Sequence, residues 1–376
     1  MARYLATASA AAALAAAVIL ACADPSSPTP DSTPALSPDE STAAAVTAPT
    51  LDPQRSGTRN RLQAISPVNS QVVWASGVGG TFARTTNGGQ SWHAGVVPGA
   101  RTLEFRDVHG VSANEAYLLA AGVGTASRIY KTVNGGQTWE LQFQNQLAAA
   151  FYDCFDFWTP NRGLTFSDPV NGLFPVVRTR NGGETWNRIA RKLPPALPGE
   201  FAFAASGTCV DTQGEDRGWI GTGGESGARI LATTDGGNTW KAYATPIVQG
   251  TAGSGIFTVQ FRDAIHGILA GGDLESSAAF SNNVAVSKNG GKTWTLVNGT
   301  PFPGAVFGLS YVPVTGPGQN PRVVVATGPG GAAWTANEGR RWHLIPDVEG
   351  FWAVAFADFA HGWLVGTEGR IVKLVF

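Results

Sequence analysis

From about residue 58 to its end the chain reads as short apolar runs broken by glycine-rich polar turns, with no long amphipathic helical pattern. The last stretch shows the rhythm: FWAVAFAD (Phe351 to Asp358), GWLVGT (Gly362 to Thr367) and RIVKLVF (Arg370 to Phe376) are strand-length runs separated by tight turns. Forty-eight glycines and twelve tryptophans beside one methionine fit many short strands joined by turns, so an all-β fold is expected.

The turns repeat. Six segments share one pattern: Asn87 and Trp92 in TTNGGQSW, Asn134 and Trp139 in TVNGGQTW, Asn181 and Trp186 in TRNGGETW, Asp235 and Trp240 in TTDGGNTW, Asn289 and Trp294 in SKNGGKTW, and Asn337 and Trp342 in the degenerate TANEGRRW. Successive tryptophans lie 47 to 54 residues apart, about the length of one four-stranded propeller blade. Asn-Gly or Asp-Gly supplies the positive φ angles of a hairpin corner, the flanking hydroxyls can bond turn backbone, and the closing Trp buries a ring between blades. Because five of the six acidic-type positions hold Asn, the corners read as structural, with no metal or acid-catalyst role.

Upstream of the corners a second theme recurs, a strand ending in an aromatic residue and Asp: Phe105-Arg106-Asp107, Phe155-Asp156, Phe261-Arg262-Asp263 and Phe356-Ala357-Asp358. It sets the order within a blade: inner strand A, a short turn, strand B, strand C running into the corner, and outer strand D. Blades are expected near 61–97, 102–145, 149–190, 201–246, 255–298 and 304–346. The tail from Phe351 supplies three further strands and no corner, so the segment just before Arg61 is expected to add the fourth, close a seven-bladed ring and remove an exposed edge.

Residues 1–21 carry an early Arg3 and an alanine-rich apolar run, the pattern of a secretory signal too short for a membrane span. Ile19-Leu20-Ala21-Cys22 resembles a bacterial lipobox, which makes Cys22 a lipidation site; ordinary cleavage at Ala21-Cys22-Ala23 is the alternative. Residues 22–57, rich in Pro, Ser, Thr and Ala, read as a disordered tether to a propeller over 58–376. The expected location is the bacterial cell envelope, with membrane contact only through the lipid anchor. With 14% charged residues and a net charge of −1, no field draws the protein to nucleic acid. Cys154 and Cys209 fall in inner strands of neighbouring blades, where either a disulfide or two buried thiols is compatible with export.

These motifs resemble the BNR or Asp-box repeat superfamily, in the version found in photosystem II stability and assembly factors and their relatives in non-photosynthetic bacteria, over about residues 58 to 376. The resemblance implies a seven-bladed propeller acting as a binding platform for membrane-protein subunits, without cofactor or catalysis. The same boxes occur in sialidases and xyloglucan-degrading hydrolases. A sialidase carries an arginine triad, a tyrosine nucleophile and an Arg-Ile-Pro element; here Arg128-Ile129-Tyr130, Arg229-Ile230-Leu231 and Arg370-Ile371-Val372 are the nearest strings, and they sit inside repeats. Xyloglucanases of this type are about two propellers long, whereas this chain has length for one.

In a propeller the B-to-C and D-to-A loops share the face around the channel mouth, and loops on a rigid scaffold are where function concentrates. The B-to-C loops hold Asp168, Glu225, Asp273, Glu275 and Glu368, those of blades 3 to 5 being the longest, and the D-to-A segment Arg191 to Glu200 projects there too. Arg128, Arg229 and Arg370 open strand C at matching positions, so they form either a partner-binding patch or strand-end pairs with Glu225, Asp273 or Glu368. The expected function is non-catalytic binding of a protein or peptide in the envelope by a monomer. The alternative is a glycoside hydrolase that works on a glycan with Asp168, Glu225, Asp273 or Glu275. The five histidines lack metal-ligand spacing, so no metal and no cofactor are expected.

Overall fold

The computed structural model describes residues 46–189, 193–276 and 282–376; the leader, Cys22 and the first part of the tether lie outside the described residues. Seven antiparallel sheets, each built on four strands, form a seven-bladed propeller. The A strands, in order, are Leu62–Pro67, Phe105–Gly110, Tyr152–Thr159, Val210–Gln213, Ser254–Phe261, Gly308–Tyr311 and Phe351–Asp358. Blade 7 is completed by Thr50–Arg55, which pairs antiparallel with Arg370–Val375 from Thr50↔Val375 to Arg55↔Arg370. The propeller thus starts at Thr50, inside the stretch read as tether, and the sheet edge left by a three-stranded last blade is covered as expected.

Burial explains the gradient along each blade. B strands such as Val73–Gly77, Ala116–Ala120 and Val324–Gly328 are buried at every position because neighbouring blades cover both faces. D strands such as Glu140–Gln144 and Lys241–Ala244 are exposed or half-buried, which is why their sequence is polar. Buried apolar side chains form clusters between neighbours, as with Trp74, Phe82, Phe105 and Leu118 between blades 1 and 2, and Leu62, Ala75, Trp363 and Ile371 between blades 7 and 1. Stacking of blade on blade is therefore the main apolar stabilisation.

The corners fold as their chemistry demands. In the second, Thr132 Oγ1 accepts from Asn134 N (3.4 Å) and Gly136 N (2.9 Å), and Asn134 Oδ1 accepts from Thr138 N at 2.9 Å. Gly135 and Gly136 sit at φ 73° and 84°, where a side chain is disfavoured. The sixth corner puts Glu338 at φ 55° in that position, and its carboxylate accepts from Arg262 Nε (2.8 Å) and Tyr311 OH (3.0 Å), partners that offset the backbone cost. The D strands begin one residue after each Trp, as at His93 and Glu140.

Blades 3 to 5 depart from expectation at one point. Residue 201, expected to open blade 4, instead lies in the short strand Glu200–Phe201, which pairs with Gly223–Gly224; that pair in turn joins the A strand of blade 5 at Gly223↔Gly255. These short strands stitch three loops together on the mouth side. Cys154 and Cys209 form a disulfide joining blades 3 and 4, with Cα atoms 6.0 Å apart.

Candidate functional site

A cavity of about 350 Å³ opens at the channel mouth, on the face of the B-to-C and D-to-A loops. Its walls come from the first residues of the A strands, and a shared backbone device puts them there. The A–B pairing slips by one residue between Leu62 and Ala64, Phe105 and Asp107, Tyr152 and Cys154, Ile256 and Thr258, and Phe351 and Ala353. The residues inside these five bulges are Gln63, Arg106, Asp153, Phe257 and Trp352, and all five line the cavity. A β-bulge re-aims one side chain out of the alternating pattern, so each of these blades spends an extra residue to furnish the mouth.

The cavity has two halves. On one side Phe203, Phe257, Phe307 and Trp352 form an arc, with successive ring centroids 4.3, 5.9 and 5.4 Å apart and exposed Leu274 beside it. On the other, Arg61 lies 4.8 Å over the Trp352 ring and Arg106 5.9 Å over Phe151. Glu104 accepts two hydrogen bonds from Arg106, at 3.0 and 2.8 Å, and stands 3.9 Å from Arg61, so it is the counterion of both.

Asp153 and Asp168 lie where the halves meet. Asp168 Oδ1 accepts from Ala202 N at 2.9 Å, and burial pushes its carboxyl up to about 6. Asp153 is 1% exposed, its Oδ2 has no hydrogen-bond partner, and burial followed by the neighbouring Asp168 charge raises its pKa well above the usual range. Gln63 Oε1 and Arg61 Nε are buried without partners as well. Unpaired buried polar atoms cost free energy, so they mark a place that a ligand can satisfy.

Deeper in the channel a second set of polar side chains bonds from blade to blade. Ser66 Oγ accepts from Gly110 N (3.0 Å), Asp107 Oδ2 from Phe155 N (2.8 Å), Asp156 Oδ2 from Thr212 N (2.8 Å), Asp211 Oδ2 from Phe261 N (2.7 Å), and Gln260 Oε1 from Tyr311 N. Each links one A strand to the next, so these groups hold the ring together. Burial raises the pKa of Asp107 and Asp211 and pushes Asp156 up to about 6, while it lowers His109 to about 4.

Of the carboxylates singled out from sequence, only Asp168 reaches the cavity. Glu225, Glu275 and Glu368 are exposed loop residues, and Asp273 Oδ1 accepts from Glu275 N at 2.9 Å within its own turn. The three strand-C arginines each brace a local loop. Arg128 Nε donates to Thr125 O (2.8 Å), and Arg370 donates to Glu349 O (2.7 Å) and Thr367 Oγ1 (2.6 Å). Arg229 forms a two-pronged pair with buried Glu200 (2.9 and 2.5 Å), where Glu225, Asp273 and Glu368 were the partners expected. Arg191 and Lys192 lie outside the described residues. His266 and His361 bond Asp263 and Asp358, each at 2.8 Å. No group of three or more His, Cys, Asp or Glu among the described residues is arranged to hold a metal.

Sequence reasoning missed Arg61, Gln63, Arg106, Asp153, Phe203, Phe257, Phe307 and Trp352. Recurrent large or polar residues just after the first A-strand position were the available signal, but an inserted bulge residue breaks the alternation that would have given its direction.

No family model matches the chain, and no curated relative matches its sequence. Among solved structures, YCF48 from Cyanidioschyzon merolae is similar at 16% identity with a TM-score of 0.60, covering 88% of this chain and 99% of that one. YCF48 bound to D1 peptide is similar at 15% and 0.57, covering 89% and 99%. The Niastella koreensis GH74 enzyme is similar at 17% and 0.58, covering 86% of this chain and 53% of that one. At these identities the likeness shows a shared fold.

Proposed function

We propose that this protein is a non-catalytic binding propeller of the cell envelope that holds a segment of a partner protein in its channel mouth. The observation that carries this reading is the set of five bulges, which aim Gln63, Arg106, Asp153, Phe257 and Trp352 into one cavity. An aromatic arc with a few convergent polar groups is the usual composition of a recognition site. The YCF48 structure with a D1 peptide supports a peptide as the ligand class on this fold. The corner geometry supports the Asp-box assignment of the repeats. Export and anchoring through Cys22 complete the proposal; acyl-chain labelling lost in Cys22→Ser tests the anchor. Selection of displayed peptides on the whole protein tests the function: binders that lose most of their affinity for a Phe203→Ala, Phe307→Ala double variant support it, and binders indifferent to that change refute it.

One observation favours a second reading. Asp153 and Asp168 are neighbouring carboxylates with raised pKa values in an aromatic-walled cavity, the ingredients of acid–base glycoside cleavage, and the GH74 enzyme shares the fold. Turnover of a xyloglucan or a sialoside that disappears in both Asp153→Asn and Asp168→Asn would establish the hydrolase and displace the binding role.

A further inference from the structure

The charges at the mouth are unevenly satisfied, and that imbalance selects a ligand. Both native cations are already committed: Arg106 to Glu104 and the Phe151 ring, Arg61 to the Trp352 ring with Glu104 nearby. The acids opposite are less satisfied. The Arg106 charge acts on Asp153 without a direct bond between them, and Asp153 Oδ2 and Gln63 Oε1 are buried acceptors with nothing to accept. Beside them stand the faces of Phe203, Phe257 and Phe307, half-buried or buried and tilted against one another. A carboxylate pair next to aromatic faces binds an alkylammonium or guanidinium group through charge-assisted hydrogen bonds and cation–π attraction.

We propose that the channel mouth receives a basic side chain, arginine or lysine, of an extended peptide. Its cationic head meets Asp153 and Asp168, and its aliphatic stem lies against the phenylalanine arc. The remaining orphan, Arg61 Nε, is a donor, and a backbone carbonyl of the same peptide supplies its acceptor. A basic head beside the two carboxylates also offsets their mutual repulsion and favours their charged forms. This inference rests on the peptide-binding reading and adds the chemistry of the residue recognised.

The test uses the whole protein and fluorescent nonapeptides of Gly and Ser with one central residue: Arg, Lys, the neutral isostere citrulline, or Glu. The expected result is that the Arg or Lys peptide binds roughly tenfold more tightly than the citrulline peptide. Asp153→Asn and Asp168→Asn each collapse that preference to about twofold or less, while Phe307→Leu weakens the Arg and Lys peptides and keeps the order. Circular dichroism and melting of each variant separate loss of the site from loss of the fold. Equal binding of Arg and citrulline peptides, or a preference unchanged in folded Asp153→Asn, overturns the inference. A best-binding Glu peptide overturns it too, yet leaves the peptide reading intact. Failure of every peptide together with Asp153-dependent binding of xyloglucan oligosaccharides overturns both.

Discussion

The channel holds two belts of buried and half-buried aspartates that differ in what they bond. In the lower belt Asp107, Asp156 and Asp211 each accept a backbone N–H from the next blade. In the upper belt Asp168 uses one oxygen on Ala202 N, and Asp153 keeps Oδ2 unpaired at 1% exposure. Both belts share residue type, burial and raised pKa values. The difference teaches that a perturbed aspartate points to a site by what it bonds: the lower belt bonds from blade to blade and builds the ring, whereas Asp153 keeps a buried oxygen free for a ligand.

The sharpest way to break that contrast is Asp156→Leu. It leaves Phe157 N and Thr212 N without their acceptor, and a loss of about 3 kcal/mol in denaturant unfolding is expected at a cost of roughly 1–3 kcal/mol per orphaned group. A loss below about 1 kcal/mol would mean that the lower belt does not hold the ring.

The pH dependence comes next. Asp156 and Asp168 have folded values near 6, above an ordinary carboxylate, so the folded state binds the extra protons between pH 4 and 6 and stability falls as pH rises through that window. Asp107, Asp153 and Asp211 are also raised by burial and act in the same direction. His109, lowered to about 4, acts the other way: its contribution grows as pH rises from about 4 to 6.5. The carboxylates outnumber it, so melting near pH 5 should occur several degrees above melting at pH 7.5, and Asp156→Asn should flatten the slope. Melting temperatures that rise steadily with pH would contradict the assignment.

Smaller still is the effect of Thr132→Val in a corner. It removes the oxygen that accepts from Asn134 N and Gly136 N, and a loss of about 1–2 kcal/mol by thermal melting is expected. The smallest change belongs to the upper belt: Asp153→Asn should leave stability within about 1 kcal/mol of the parent, since it removes like-charge repulsion with Asp168 and breaks no bond at Oδ2. A large loss there would make Asp153 a second structural acid and remove the contrast.

Most of the scaffold was legible because its rules are local. Thr, Asn and paired glycines dictate a hairpin corner wherever they occur, and their spacing counts the blades, so the ring and its closure by residues before Arg61 followed from the sequence. The mouth was not legible in the same way. Asp168 was found because it sits in a loop, where function is sought, whereas Asp153, Arg106 and Phe257 lie within strands and reach the cavity only through a bulge. Gln63 and Asp153 come from different blades, and nothing local in either segment says that the ring brings them to one cavity. Register could not say whether the strand-C arginines form a patch or strand-end pairs, and Arg229 pairs with Glu200, a partner supplied by the neighbouring connection.

The central claim is that ligands meet this propeller at the channel mouth and not at the corners. Photo-crosslinking settles it most directly, with p-benzoylphenylalanine installed in turn at Leu274, 55% exposed at the mouth, and at Val133, 66% exposed in a corner on the opposite face. With a selected peptide ligand, the account predicts a crosslinked adduct from position 274 and none from position 133. An adduct from 133 alone would contradict it and move the binding surface to the corners.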